Sequence, residues 1–340
     1  MRICMGSVQE IRLAHGGGGR YTQQLIEKIF LPAFTNPQLD LLNDSAILDL
    51  PVSRIALTTD SYTVDPLFFP GGDIGRLAVC GTVNDLSVAG ARPLFLSAGF
   101  ILEEGFPLAD LERIVESARA AAREAGVSIV TGDTKVIPHG KADKCFINTS
   151  GVGVVERDPP LESRVHEGDV LVINGFMGRH GMAVMTSRKE LGFSSRIESD
   201  VAPLNHLTAR MMKAAPGLHA MRDATRGGVA AVLNEMASQA SLGVELTEEW
   251  LPVTEAVNGA CEILGLDPLY IANEGVVVAS VSADESETLL KAMKKDSRGR
   301  DSRVIGRVCR EHPGRVVMRT QIGSHRIVDM LSGEQLPRIC

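Results

Sequence analysis

Five aspartates recur in short polar contexts: Asp44 in LNDSA, Asp60 in TTDS, Asp85 in TVNDL, Asp133 in TGDT and Asp223 in RDATRGG. All are expected at strand ends or in tight turns. A magnesium ion wants hard oxygen ligands and usually takes one or two carboxylates together with substrate phosphates. Carboxylates converging from several loops would suit a metal-bridged nucleotide. Any one of them alone reads more simply as an Asx-turn or a helix N-cap. It is the recurrence that suggests a site.

Other residues add to it. The stretch AHGGGGRY (14–21) precedes a helical pattern, so its amide groups can approach a phosphate at a helix N-terminus. It fits neither a P-loop nor G-x-G-x-x-G, and on its own it reads equally well as a linker. Lys135 in TGDTKV follows Asp133 by two residues, where an ammonium can meet phosphate; otherwise it is a solvated lysine. Glu274 in IANEGVVV stands before an apolar strand, half-desolvated and placed to act as a base, although a loop glutamate is more often plain surface. GFMGRHG (175–181) is a second glycine turn before a helix.

The last residue, Cys340, closes the sequence QLPRIC. An isolated terminal cysteine usually means nothing. A prenylation box would need the cysteine four from the end. Ten extended residues after the last regular element would let the thiol reach up to about 35 Å, stiffened near its tip by Pro337.

The elements that must position these groups alternate between β-branched runs and helical patterns, which marks an α/β or α+β protein. Strands are expected at 54–61, 127–134 and 145–156, and helices at 23–30, 74–90 and 110–126. The polar, proline-containing stretch 157–169 places a domain boundary. A second unit follows, with strands at 169–175, 276–282 and 315–320 and helices at 182–191, 204–215, 228–240 and 253–265. The domains are thus expected at 1–157 and 158–328, with a mobile tail at 329–340.

Composition narrows the function. The 340 residues carry a net charge of −7 without basic clusters, one Trp and three Tyr, which argues against nucleic acid or an anionic membrane as partner. No apolar run has the length of a membrane span and no signal peptide is evident, so a cytoplasmic location is expected. The six cysteines include no C-x-x-C pair; Cys80, Cys145, Cys261 and Cys309 read as small buried hydrophobes.

Taken together, LAHGGGGRYTQQLIEKIFLPAF, LTTDSYTVDPLFFPGGDIGRLAVCGTVNDLSVAGARP, TGDTKV, MRDATRGGV, GLDPLYIANEG and the terminal PRIC resemble the HypE family of hydrogenase maturation proteins, in the superfamily typified by aminoimidazole ribonucleotide synthetase (PurM-like). The resemblance spans nearly the whole chain; one departure is Ser45, where relatives often carry Gly or Ala. It implies a two-domain α/β fold and a homodimer whose N-terminal domains share a β-barrel. It further implies ATP and Mg²⁺ at the domain junction. Asp44, Asp60, Asp85, Asp133 and Asp223 would face the metal, while His15, Gly16, Gly17, Gly18, Gly19, Asp60, Asn84, Asp85, Thr131, Asp133, Arg222 and Asp223 would face the nucleotide.

The implied reaction is an ATP-dependent dehydration of a carboxamide on Cys340 to a thiocyanate, with Glu274 and Lys135 as catalytic residues. It supplies the cyanide ligand of nickel–iron hydrogenases. The carbamoyltransferase HypF would be the donor and a HypC–HypD complex the acceptor. Two other readings compete: a selenophosphate-synthetase-like or ribonucleotide-cyclising phosphotransferase, for which Cys4 lacks the expected neighbouring lysine, and a nucleotide-gated scaffold whose tail only docks.

Overall fold

The structure, a computed structural model, describes residues 10–16, 20–41, 54–155, 157–188 and 197–330. Strands β1 (Ile55–Tyr62), β2 (Phe68–Phe69), β3 (Gly72–Asp73), β4 (Ala91–Glu103), β5 (Ser128–Ile137) and β6 (Cys145–Val155) belong to the first unit. Four of them form a sheet of order β1-β6-β4-β5. Helices α1 (Arg20–Leu25) and α2 (Leu31–Phe34) flank a π-helical segment, Ile26–Phe30, and are followed by α3 (Ile74–Val88) and α4 (Leu108–Ala125).

Local chemistry sets the ends of the long helices. Asp73 caps α3 by accepting from the amides of Gly75 at 2.8 Å and Arg76 at 3.0 Å. Gly126 closes α4 in the left-handed region, φ 71°. Almost all of α3 is buried, because the sheet, α4 and elements of the second unit surround it. An apolar helix with no polar face is stable only in such a place.

The second unit contains β7 (Val170–Ile173), β8 (Leu218–Asp223), β9 (Gly243–Thr247), β10 (Val277–Val281), β11 (Arg303–Cys309), β12 (Val316–Arg319) and β13 (His325–Val328), in one sheet of order β13-β12-β9-β11-β7-β10-β8. Its helices are α5 (Arg179–Thr186), α6 (Asn205–Ala214), α7 (Gly228–Ala240), α8 (Glu255–Leu264) and α9 (Ser286–Met293). Val229, Leu233 and Met236 of α7 pack on one face of this sheet. Leu207 and Met211 of α6 with Leu289 and Met293 of α9 pack on the other. Burial on both faces explains why β10 is buried throughout and carries a single polar side chain, Ser280, instead of alternating.

The fold is therefore the expected mixed α/β arrangement, with several local corrections. The longest strand, β4, was not expected, because Pro93 interrupts its apolar run; a register shift between Pro93 and Phe95 accommodates the ring. Strands β8, β9, β11 and β13 and helix α9 are further additions, short and partly charged. Helix α5 starts three residues earlier than expected, after Gly178 at φ 80°. Cys80, Cys145 and Cys261 are buried, but Cys309 is only half-buried, at the end of β11. No described helix is long and apolar enough to cross a membrane.

Candidate active site

Three segments meet where the two units join. Strand β1 brings Asp60, and α3 brings Asp85, whose Oδ2 accepts from the Thr58 hydroxyl at 3.0 Å. Strand β8 ends on Asp223, which pairs in register with Val277 just beyond the IANEG loop. Asp85 thus lies inside the helix expected at 74–90, and not at a strand end or in a turn as the recurrence of acids suggested. It reaches β1 because the turn of α3 that carries it packs against that strand.

Glu274 sits in the IANEG loop and is 5% exposed. Its position is fixed from several sides. Asn273 Oδ1 accepts from the Gly178 amide at 2.6 Å, and its Nδ2 donates to the Ala224 carbonyl at 2.7 Å. Asp200 Oδ2 accepts from the amides of Glu274 at 3.0 Å and Gly275 at 2.8 Å. Gly275 is a close-approach glycine: a Cβ there would lie 2.0 Å from the Asp200 carbonyl oxygen. The turn GFMGRHG, singled out for its glycines, supplies the Gly178 amide that orients this loop.

The electrostatics follow from that crowding. Burial, then the neighbouring Asp200, Asp223, Asp60 and Asp85, push Glu274 well above the usual carboxylate range. Asp223 is pushed up to about 7 by burial and by Asp85 and Asp60, with Arg222 opposing. Asp85 is raised chiefly by burial, with Arg222 and Arg226 partly offsetting Asp60. Buried carboxylates that hold protons this firmly lack compensating charge. The donor set, all carboxylate oxygen, fits a hard divalent cation.

The other expected residues divide. Asn84 is 1% exposed: its Nδ2 donates to the carbonyls of Ala202 at 3.1 Å and Glu274 at 3.3 Å, and its Oδ1 accepts from the Leu204 amide at 2.8 Å. In this arrangement it ties α3 to the second unit. Arg222 pairs with Glu162 at 3.0 Å and Glu235 at 3.1 Å. His15 accepts from the Arg12 amide and packs edge-on against Tyr21. Gly16 ends the short 3₁₀ turn Leu13–Gly16. Asp44, Gly17, Gly18, Gly19 and Cys340 lie outside the described residues.

Thr131, Asp133 and Lys135 are not brought to Glu274 within one chain. They stand on β5, at the opposite edge of the sheet from β1, and Lys135 Nζ lies 2.9 Å from Asp133 Oδ2 with both side chains exposed. Asp133 is mid-strand, contrary to expectation, and Lys135 lowers its proton affinity. Thr131 and Asp133 also line a groove of about 420 Å³ against Ile26, Phe30 and Phe100.

Sequence reasoning missed Asp200 and Arg226. Asp200 belongs to an irregular loop with no motif around it. Arg226 lies within the RDATRGG stretch, of which only Arg222 and Asp223 were named.

Residues 42–155 match the AIR synthase related protein N-terminal domain, and residues 166–319 match its C-terminal domain. The chain is 52% identical over 331 residues to the carbamoyl dehydratase HypE of Azotobacter vinelandii, covering 97% of each. It superposes on a crystal structure of the hydrogenase maturation protein HypE in complex with ATP with a TM-score of 0.93, at 48% identity, covering 97% of this chain and 99% of that one. A HypE–HypF complex contains a chain that matches with a TM-score of 0.79 at 50% identity, over 90% of this chain and 99% of that one. Shared along nearly its whole length with these proteins, the chain belongs to the HypE carbamoyl dehydratase family.

Proposed function

We propose that the protein dehydrates a carboxamide carried on its own Cys340 to a thiocyanate, consuming ATP, and so supplies the cyanide ligand to the iron of a nickel–iron hydrogenase. The observation that carries this reading is the buried Glu274, held rigidly beside Asp60, Asp85 and Asp223. An amide oxygen is a poor leaving group until it is phosphorylated. Attack of that oxygen on the γ-phosphorus of ATP releases ADP. Breaking the carbon–oxygen bond then releases phosphate, and loss of the two nitrogen-bound protons leaves the triple bond. Glu274, with its raised proton affinity, is the base that takes an amide proton.

Asp60, Asp85 and Asp223 would hold Mg²⁺, with Asp44 a further ligand by resemblance. When bound, the ion neutralises charge on the transferred phosphoryl group. ATP binding is supported by the HypE relative crystallised with it. Its phosphates would meet the glycine loop that begins at His15 and Gly16.

A homodimer reconciles Lys135 with Glu274. The register places Leu57, Val152 and Phe95 in one row across the sheet, on the same face as Ile101, Asp133 and Lys135. Leu57 is 72% exposed and Ile55 56%, an apolar surface with no covering element among the described residues. In one chain β1 and β5 stand three strand spacings apart, roughly 14 Å. Packing two such faces into a shared barrel would carry the Asp133–Lys135 edge of one protomer to the Glu274 cluster of its partner. Lys135 would then orient the base or neutralise phosphate. Donation by HypF is supported by the HypE–HypF complex; acceptance by HypC–HypD and a cytoplasmic setting complete the proposal, as does a domain boundary at residues 157–158.

The direct assay is nucleotide turnover. ADP release should require a carbamoylated tail and disappear in Cys340→Ala. ADP release that persists undiminished in Cys340→Ala with a free small substrate would instead favour another phosphotransferase.

A further inference from the structure

Away from the acidic cluster, the second unit gathers two histidines around a buried carboxylate. His166 and Asp169 face each other across the turn that leads into β7: the His166 amide donates to Asp169 Oδ2 at 3.0 Å, and the Asp169 amide donates back to the His166 carbonyl at 3.2 Å. Gly168, at φ 87°, allows this turn. His219 reaches the same carboxylate from β8, its Nδ1 2.8 Å from Asp169 Oδ2, and the hydroxyl of Ser280 on β10 donates at 2.8 Å. The rings of His166 and His219 meet edge to face with centroids 4.6 Å apart. One donor atom from each of His166, Asp169 and His219 lies within 4.8 Å of the others.

We propose that this cluster binds a divalent first-row transition metal of the zinc, cobalt and nickel class, with His166 and His219 as ligands and Asp169 as the orienting carboxylate. An ionised carboxylate only accepts hydrogen bonds. The bond to Asp169 therefore places a hydrogen on His219 Nδ1 and leaves the Nε2 lone pair available. A carboxylate that fixes a histidine's tautomer in this way is the usual outer partner of a metal-bound imidazole.

Charge points the same way. Asp169 is 3% exposed, and its only ion-pair partner among the described residues is His219. A cation bound by the two imidazoles would supply positive charge beside it. Imidazole donors favour zinc, cobalt and nickel over magnesium. His166 is exposed and its side chain can adjust, and the open side admits water to complete the coordination.

The site is separate from the catalytic cluster, since His219 and Asp223 are four residues apart on β8, roughly 13 Å along a strand. A bound ion would join the linker between the units to the edge of the second sheet, so its first effect is on stability.

The test titrates zinc into the full-length protein, metal-free, with magnesium in excess to occupy carboxylate sites. One equivalent should bind and raise the melting temperature. Binding should weaken at least tenfold in His166→Gln and in His219→Gln. X-ray absorption of the bound zinc should show two imidazoles and no sulfur. His166 is exposed, so its variant remains informative even if His219→Gln fails to fold. Absence of stoichiometric binding, unchanged affinity in His166→Gln, or a sulfur ligand would each overturn the proposal.

Discussion

Asp200 holds Glu274 by its backbone while repelling its side chain. Asp200 Oδ2 accepts the amides of Glu274 and Gly275, and its charge is the largest influence after burial that raises the Glu274 carboxyl. The other oxygen of Asp200 is buried with no hydrogen-bond partner. Replacing Asp200 by Asn should lower the proton affinity of Glu274 and make it a weaker base. The acid limb of the pH–rate profile should move to lower pH, and the plateau rate should fall roughly tenfold to a hundredfold. Asp200→Ala should in addition lose about 1–3 kcal/mol of stability through the unpaired amides. A profile unchanged in Asp200→Asn would remove Asp200 from the mechanism.

The same crowding predicts an unusual dependence of stability on pH. A carboxyl whose folded proton affinity exceeds its unfolded value binds more protons when folded, so stability falls as pH rises between the two values. For Asp223 that window runs from about 3.9 to about 7. Without divalent cation, wild type should lose stability across this range relative to Asp223→Asn. Magnesium should restore it, and its stabilising effect should be larger at pH 8 than at pH 5. Thermal melts with and without magnesium decide this, and equal stabilisation at both values would contradict it.

Gly275 is a steric test of the loop. A methyl group there would meet the Asp200 carbonyl at 2.0 Å. Gly275→Ala should destabilise by about 1–3 kcal/mol and reduce thiocyanate formation more than ATP binding. Denaturant melts and nucleotide titration separate the two effects. Loss of ATP affinity with an intact chemical step would mean that the loop serves the nucleotide instead.

Shared sites across a dimer can be complemented. Lys135→Ala and Glu274→Gln homodimers should each be inactive in the chemical step. Mixed and re-equilibrated, they should recover roughly a quarter of wild-type activity, since half the dimers are mixed and each of those keeps one intact site. No recovery, with exchange verified by mass, would place Lys135 and Glu274 in the same protomer or in different functions.

Much of this was legible in the sequence where period and punctuation agree. The alternation of 54–61 and 145–156, the apolar run of 74–90 and the amphipathic 110–126 closed by Gly126 all fold as the elements expected. Strand β4 was hidden by Pro93, although Leu96, Ala98, Phe100 and Leu102 alternate inward as a strand requires. Asp60, Asp85, Asp223 and Glu274 could be named as chemistry-bearing, and they converge. That Asp200 belongs with them follows only from a long-range contact between an irregular loop and the IANEG turn. Likewise, nothing local distinguishes Asn84, which ties α3 to the second unit, from the Asp85 beside it. Lys135 shows the opposite case: its type and neighbours fit a phosphate contact, yet its strand lies at the far edge of the sheet.

Glu274 is the proposed base for the chemistry of the tail. The measurement that reaches it most directly is the intact mass of the C-terminal peptide after HypF-dependent carbamoylation and addition of ATP with magnesium. Wild type should lose the mass of one water from the carboxamide on Cys340, while Glu274→Gln should retain the carboxamide. A wild-type protein that hydrolyses ATP while its carboxamide persists, or a Glu274→Gln variant that forms thiocyanate at the wild-type rate, would contradict it.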